Sequence, residues 1–251
     1  MISRREARKS EEAAVTDRGW LRLGAALVVV GEIAYIVAGS LHPGHEDPNN
    51  HPAVFAEYAA SATWTMVHLG QFMAFALILA GLLAVFVALD RDEARSTGVA
   101  RSFGIAAVVA ALALSAVLQG VDGVTLKQAV DRWAAADGAD KTAAFAAAEA
   151  VRWLEWGIRS YQRMVFGVVY ALVAVALVAA GGLFRVLGAI AAIVAVAYVA
   201  EGVVVGNEGF STTNAIPSLI QLVARVAFAV GLAIAAWRGG RIGNVGNLRQ
   251  A

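Results

Sequence analysis

All four histidines of this chain, His42, His45, His51 and His68, fall close together, three of them within Leu-His-Pro-Gly-His-Glu-Asp-Pro-Asn-Asn-His-Pro. Neutral imidazoles beside a carboxylate form a donor set for zinc or another divalent metal that keeps one position open for water. Glu46 or Asp122 would then act as general base on that water. The sequence has no His-x-x-x-His or His-Glu-x-x-His helical pair, so this expectation rests on clustering alone.

A second set of residues is singled out by depth. Glu32 lies about ten residues, roughly 15 Å, into an apolar stretch running from Trp20 to Leu41, which places a carboxyl group near the middle of a membrane. Arg225 lies about 20 Å from Arg238 on the same count, and a guanidinium at that depth needs a partner, Glu32 or Glu201. The remaining polar residues fall toward one end of each apolar segment. His68 and Gln71 share a face with Trp64, and Ser115, Gln119 and Asp122 share another. Glu155, Arg159 and Gln162 form a third, Tyr198 and Glu201 a fourth, and Gln221 and Arg225 a fifth. A Gln, Asp, Glu or Arg facing lipid costs a few kcal/mol, so these faces should turn inward and toward one another. The expected ligand-lining set is Glu32, His68, Gln71, Gln119, Asp122, Glu155, Arg159, Glu201, Gln221 and Arg225.

Other chemistries find no support. The chain has no cysteine, which excludes disulfides, thiolate metal sites, iron–sulfur clusters and c-type haem. Only His68 lies clearly within an apolar segment, which disfavours a b-type haem between two histidines. No Gly-x-Ser-x-Gly turn, phosphate loop or nucleic-acid motif is present.

The elements that must position these residues are helices in a bilayer. Over 251 residues the chain is 59% hydrophobic and 16% charged, with mean hydropathy +0.67, outside the range of soluble domains. Six continuous apolar runs, 20–41, 64–89, 102–125, 158–182, 185–207 and 215–238, predict an all-α polytopic membrane protein. A helix over Lys141–Trp156, on or rising from the surface in the second outer loop, should continue into the fourth span. Gly181 and Gly182 should make spans four and five antiparallel neighbours, and Pro43, Pro48 and Pro52 should delay any helix in the first loop until Ala53. Residues 1–19 are expected to be a mobile charged tail and 239–251 a disordered one.

Orientation follows from the basic residues. With the N-terminus inside, the inner face collects Arg4, Arg5, Arg8, Lys9, Arg18, Arg22, Arg91, Arg95, Arg101, Arg185, Arg238, Arg241 and Arg249, thirteen of twenty. The positive-inside rule thus predicts both termini in the cytoplasm, with the plasma membrane as the bilayer. The first span resembles a signal peptide in its basic leader and small residues, but Glu32 argues against cleavage. The function expected is binding of a small polar or amphipathic ligand in an outward-opening cavity, with a metal-dependent enzyme as its catalytic form. Proton- or ion-coupled transport through Glu32, and a packing subunit without its own chemistry, are the alternatives. The apolar inner halves of the spans count against transport.

Overall fold

The computed structural model describes residues 4–89 and 95–238. Arg91, used for orientation, and the tail 239–251 lie outside the described residues. Every described element is helical: α1 (Arg4–Ser40), α2 (His51–Ala60), α3 (Trp64–Ala88), α4 (Arg95–Gly120), a π-helical turn (Val121–Leu126), α5 (Lys127–Ala135), α6 (Gly138–Ala180), α7 (Leu183–Glu208) and α8 (Thr212–Trp237). Among the described residues six stretches are long and apolar enough to cross a membrane: Arg18–Ser40, Trp64–Ala88, Gly98–Ala135, Gly138–Ala180, Leu183–Glu208 and Thr212–Trp237. Their number is that of the predicted runs and each overlaps one, the third and fourth extending well beyond the expected 102–125 and before the expected 158–182. In a bilayer every backbone group must be satisfied within its own segment, which is why such runs fold as helices.

The differences lie at the ends. Residues 4–19, expected as a mobile tail, continue α1 as helix, in keeping with the propensity of their Arg, Glu, Ala and Lys residues. In the first loop, α2 starts at His51 rather than Ala53, because a proline is tolerated in the first helical turn, where its missing N–H has no partner to lose. The helix expected over Lys141–Trp156 is the N-terminal part of α6, a single rod of 43 residues. At roughly 65 Å it exceeds the hydrocarbon thickness about twofold, so one end must project beyond the bilayer.

The spans close into a ring in the order α1, α3, α4, α6, α7, α8, with α8 returning to α1. The α1 and α3 backbones approach closely. A Cβ on Gly24 would sit 2.8 Å from the Gly81 carbonyl oxygen, and one on Gly81 2.7 Å from that of Gly24, so both positions need glycine for the two backbones to touch. One end of the ring is filled by an apolar core that includes Leu21, Leu82, Phe86, Leu177, Leu187 and Leu232. The other end carries the polar residues and a smaller core of Val54, Phe55, Tyr58, Trp64, Leu126, Val130 and Ala148, which docks α2 against α5 and α6.

Candidate functional site

The site is built around Asp122, at the start of the π-helical turn that joins α4 to α5. A π turn holds one residue more than an α turn and frees carbonyl groups from the regular ladder. Two of these are taken up by α3: Trp64 Nε1 donates to the Asp122 carbonyl at 2.8 Å, and Thr65 Oγ1 donates to that of Gly123 at 2.9 Å. Gly123 allows the approach, since a Cβ there would come within 2.5 Å of the His68 side chain. The π turn is thereby fixed against α3 with its carboxylate turned inward.

Asp122 Oδ2 lies 3.1 Å from His68 Nε2 and accepts from Arg159 Nη2 at 3.3 Å. The other nitrogen of His68, Nδ1, donates to the Trp64 carbonyl at 2.7 Å. The ring is thus held between the Trp64 carbonyl and the Asp122 carboxylate. On α6, Arg159 Nε lies 3.4 Å from Glu155 Oε1, while Arg152 Nη1 donates to Glu155 Oε2 at 2.5 Å. Arg152 is also stacked, 4.9 Å from the Phe210 ring and 5.5 Å from that of Tyr58. Five ionisable side chains thus form one connected network.

A cavity of about 590 Å³ opens beside it, lined by Gln71, Asp122, Arg152, Glu155, Arg159 and Tyr58 among others. Residues from the loop after α1, including His42 and Glu46, and from the start of α8, including Asn214 and Ser218, complete its wall. Within the network the buried atoms His68 Nε2, Asp122 Oδ1, Arg152 Nε, Glu155 Oε1 and Arg159 Nε make no hydrogen bond, so the contacts of His68 Nε2 to Asp122 and of Arg159 Nε to Glu155 are ion contacts only. Outside the spans, burial and the loss of solvent raise the Tyr58 hydroxyl above its ordinary range, so it stays a neutral donor. The His45 backbone and ring hold the Glu57 carboxyl below its usual value, against the opposing effect of its desolvation.

His42 is the group whose acid behaviour can be measured. Its ring lies 5.1 Å from that of His68 and 4.9 Å from that of Trp64, and burial together with the His68 charge brings it down from 6.5 to about 4. The unfolded chain takes up this proton near the ordinary value and the folded chain only near the lowered one. The contribution of His42 is therefore fully present above pH 6.5 and is lost as the pH falls toward 4. After solvent screening of a half-buried ring this is worth about 2 kcal/mol. His42→Gln should remove that part of the acid loss, seen as a smaller drop in melting midpoint between about pH 7 and about pH 4 than in the parent. Superimposable pH profiles of the two proteins would show that the ring is not shielded.

Below the cavity lie two further charge pairs. Arg163 Nε is 3.0 Å from Glu201 Oε1, with the guanidinium over the rings of Phe75 and Tyr198. Arg225 is fully buried and grips Glu32 with two bonds, Nε to Oε1 at 2.8 Å and Nη2 to Oε2 at 2.5 Å, while its Nη1 donates to Tyr198 at 3.0 Å. Tyr35 stacks on the same guanidinium at 4.6 Å.

Of the ten residues expected to line a cavity, Gln71, Asp122, Glu155 and Arg159 do so, and His68 stands behind Asp122. Gln119 donates to Gln71 at 3.4 Å and faces the cleft between α3 and α4. Glu32, Glu201 and Arg225 are closed off in ion pairs, and Gln221 is buried with its Nε2 unpartnered. The four histidines are not brought together. His45 pairs with Glu57 at 2.8 Å and His51 with Glu149 at 2.9 Å, because α2 and the loop before it fold onto their own partners. Among the described residues no group of three or more His, Cys, Asp or Glu side chains is placed to share a metal. Arg152, Arg163, Tyr35 and Tyr58 were not singled out from the sequence. For the two arginines a signal existed, since 152, 155, 159 and 163 follow one face of a helix already marked by Glu155 and Arg159.

The fold and its buried charges define a multi-pass helical membrane protein with a polar network at one end of the bundle. No known protein family, curated protein or solved structure matches the chain, so its function must be argued from this geometry.

Proposed function

We propose that this protein binds a small polar or amphipathic ligand in the cavity at its polar end. The observation that carries the reading is a space of about 590 Å³ walled by the charged side chains Asp122, Arg152, Glu155 and Arg159. The volume is that of pockets for drug-sized molecules, and the wall mixes charged groups with Pro43, Val54 and Phe210, as suits a ligand with a polar and an apolar part. We prefer this to ion-coupled transport because Glu32 is held in a two-bond contact with Arg225 and the opposite end of the bundle is apolar. With both termini in the cytoplasm of a plasma-membrane protein, as the basic residues favour, the cavity faces outward.

The absence of native cysteine permits a direct test. Ser218→Cys, in the cavity wall, should react with a membrane-impermeant maleimide both in intact cells and in purified protein. Val230→Cys, which is 53% exposed on the bilayer face, should react in neither. Reaction of Ser218→Cys only after lysis would reverse the orientation, and no reaction in either preparation would remove the cavity.

A further inference from the structure

The ring of spans has a weak seam. The α1–α8 interface is the least extensively packed of the six, and it is joined at two levels. Toward the apolar end Arg22 Nε donates to the Ala236 carbonyl at 3.4 Å, and in the middle Glu32 and Arg225 close their ion pair. Toward the polar end the cavity itself separates the helices, with Gly39 on one side and Asn214, Ala215 and Ser218 on the other. Gly39 and Ala215 are exposed, and a Cβ added at Gly39 would meet nothing within 4 Å. Beside this mouth, Val37 on α1 and Leu219 on α8 are 52% and 62% exposed. Such side chains at the ends of membrane spans lie against lipid. The charged wall stands opposite, on α6.

We propose, building on the cavity reading above, that the α1–α8 seam is a lateral portal by which a single-chain amphiphile with an oxyanion head group enters from the bilayer. The head group, a carboxylate or a phosphate, sits at Arg159, and the chain leaves between Gly39 and Ala215. Three observations select this occupant. Arg159 makes only long ion contacts, at 3.3 and 3.4 Å, with its guanidinium 4.9 Å from the Phe210 ring, and is the most exposed cation of the network. Asp122 and Glu155 each keep a nearer partner, His68 at 3.1 Å and Arg152 at 2.5 Å, so Arg159 is the guanidinium of the wall left to pair with an added anion. The volume admits a head group and the first part of one chain, not two.

The test uses full-length protein in phosphatidylcholine vesicles and three photoreactive probes that share one diazirine-bearing chain. Their heads are a carboxylate, a glycerol phosphate and a trimethylammonium. Peptide mapping after irradiation should find the anionic probes on residues 36–39 and 215–219 about tenfold above the other lipid-facing helices, a preference of about 1.4 kcal/mol. The cationic probe should show no such preference. Labelling by one anionic probe alone supports the portal and identifies the head group. Arg159→Gln should reduce the seam labelling about tenfold. Gly39→Trp, at a position with free space, should abolish it with the melting midpoint unchanged. Even labelling of all lipid-facing helices, or equal labelling by the cationic probe, overturns the portal. Failure of the portal with Ser218→Cys still reactive would leave the cavity intact, whereas an unreactive Ser218→Cys removes the cavity itself.

Discussion

Arg225→Leu should lower the unfolding free energy in detergent by about 3–5 kcal/mol, the cost of leaving one partner of a buried ion pair alone. The size follows from the geometry. Arg225 and Glu32 are both almost completely buried, and the substitution would strand a carboxylate that now receives two bonds, as well as the Tyr198 hydroxyl. An ordinary hydrogen bond between membrane helices averages about 0.6 kcal/mol, so a loss of several times that is diagnostic of an orphaned charge. Glu32→Leu should cost a similar amount. The double variant Glu32→Leu/Arg225→Met should recover most of it, because apolar replacement of a whole buried pair is often neutral or stabilising. Three denaturation curves check this. A double variant as unstable as the sum of the single ones would mean that Glu32 and Arg225 contribute independently, with no coupling between them.

The depth of that pair was legible in the sequence, and its membership was not. Counting along a helix gives height in the bilayer, so Glu32 and Arg225 could be placed near mid-membrane from their distance to Arg22 and Arg238. Whether Arg225 meets Glu32 or Glu201 depends on which helices are neighbours around the ring, and linear counting carries no such angle. The structure puts α1 beside α8, and Glu201 goes to Arg163 instead. The six spans were legible for a stronger reason, since lipid leaves an apolar run no other spanning form than a helix or a closed barrel.

The histidines illustrate the opposite case. Their nearness in sequence lies mostly in a loop, and a loop's course is decided by what it packs against. Val54 and Phe55 anchor α2 to α5 and α6, which carries His51 away to Glu149 and leaves His45 on the surface with Glu57. Only His42 and His68, attached to the ends of the paired helices α1 and α3, come together. The π turn was equally invisible. Ser115, Gln119 and Asp122 share a face in an ideal helix, yet Asp122 faces the cavity while Gln119 faces the cleft between α3 and α4. A local widening of the helix changes the direction of every residue after it.

Arg159 and Arg163, one helical turn apart on α6, should respond to the same substitution in opposite ways. The Arg163 side chain is 3% exposed and lies beside the equally buried Glu201, so Arg163→Gln leaves an unpaired carboxylate and should cost about 3–5 kcal/mol of stability. The Arg159 side chain is 16% exposed at the edge of the cavity, and its partners keep other cations: Asp122 retains His68, and Glu155 retains Arg152. Arg159→Gln should therefore cost about 1 kcal/mol or less, in the range of a solvated pair. Its effect should instead fall on the bound state, where loss of a charge-assisted contact worth about 1.5 kcal/mol weakens anion capture about tenfold. Melting curves and probe labelling on the two variants separate these outcomes. An Arg159→Gln protein as unstable as Arg163→Gln, with capture per folded molecule unchanged, would make Arg159 a structural cation and return the cavity wall to the bundle's own packing.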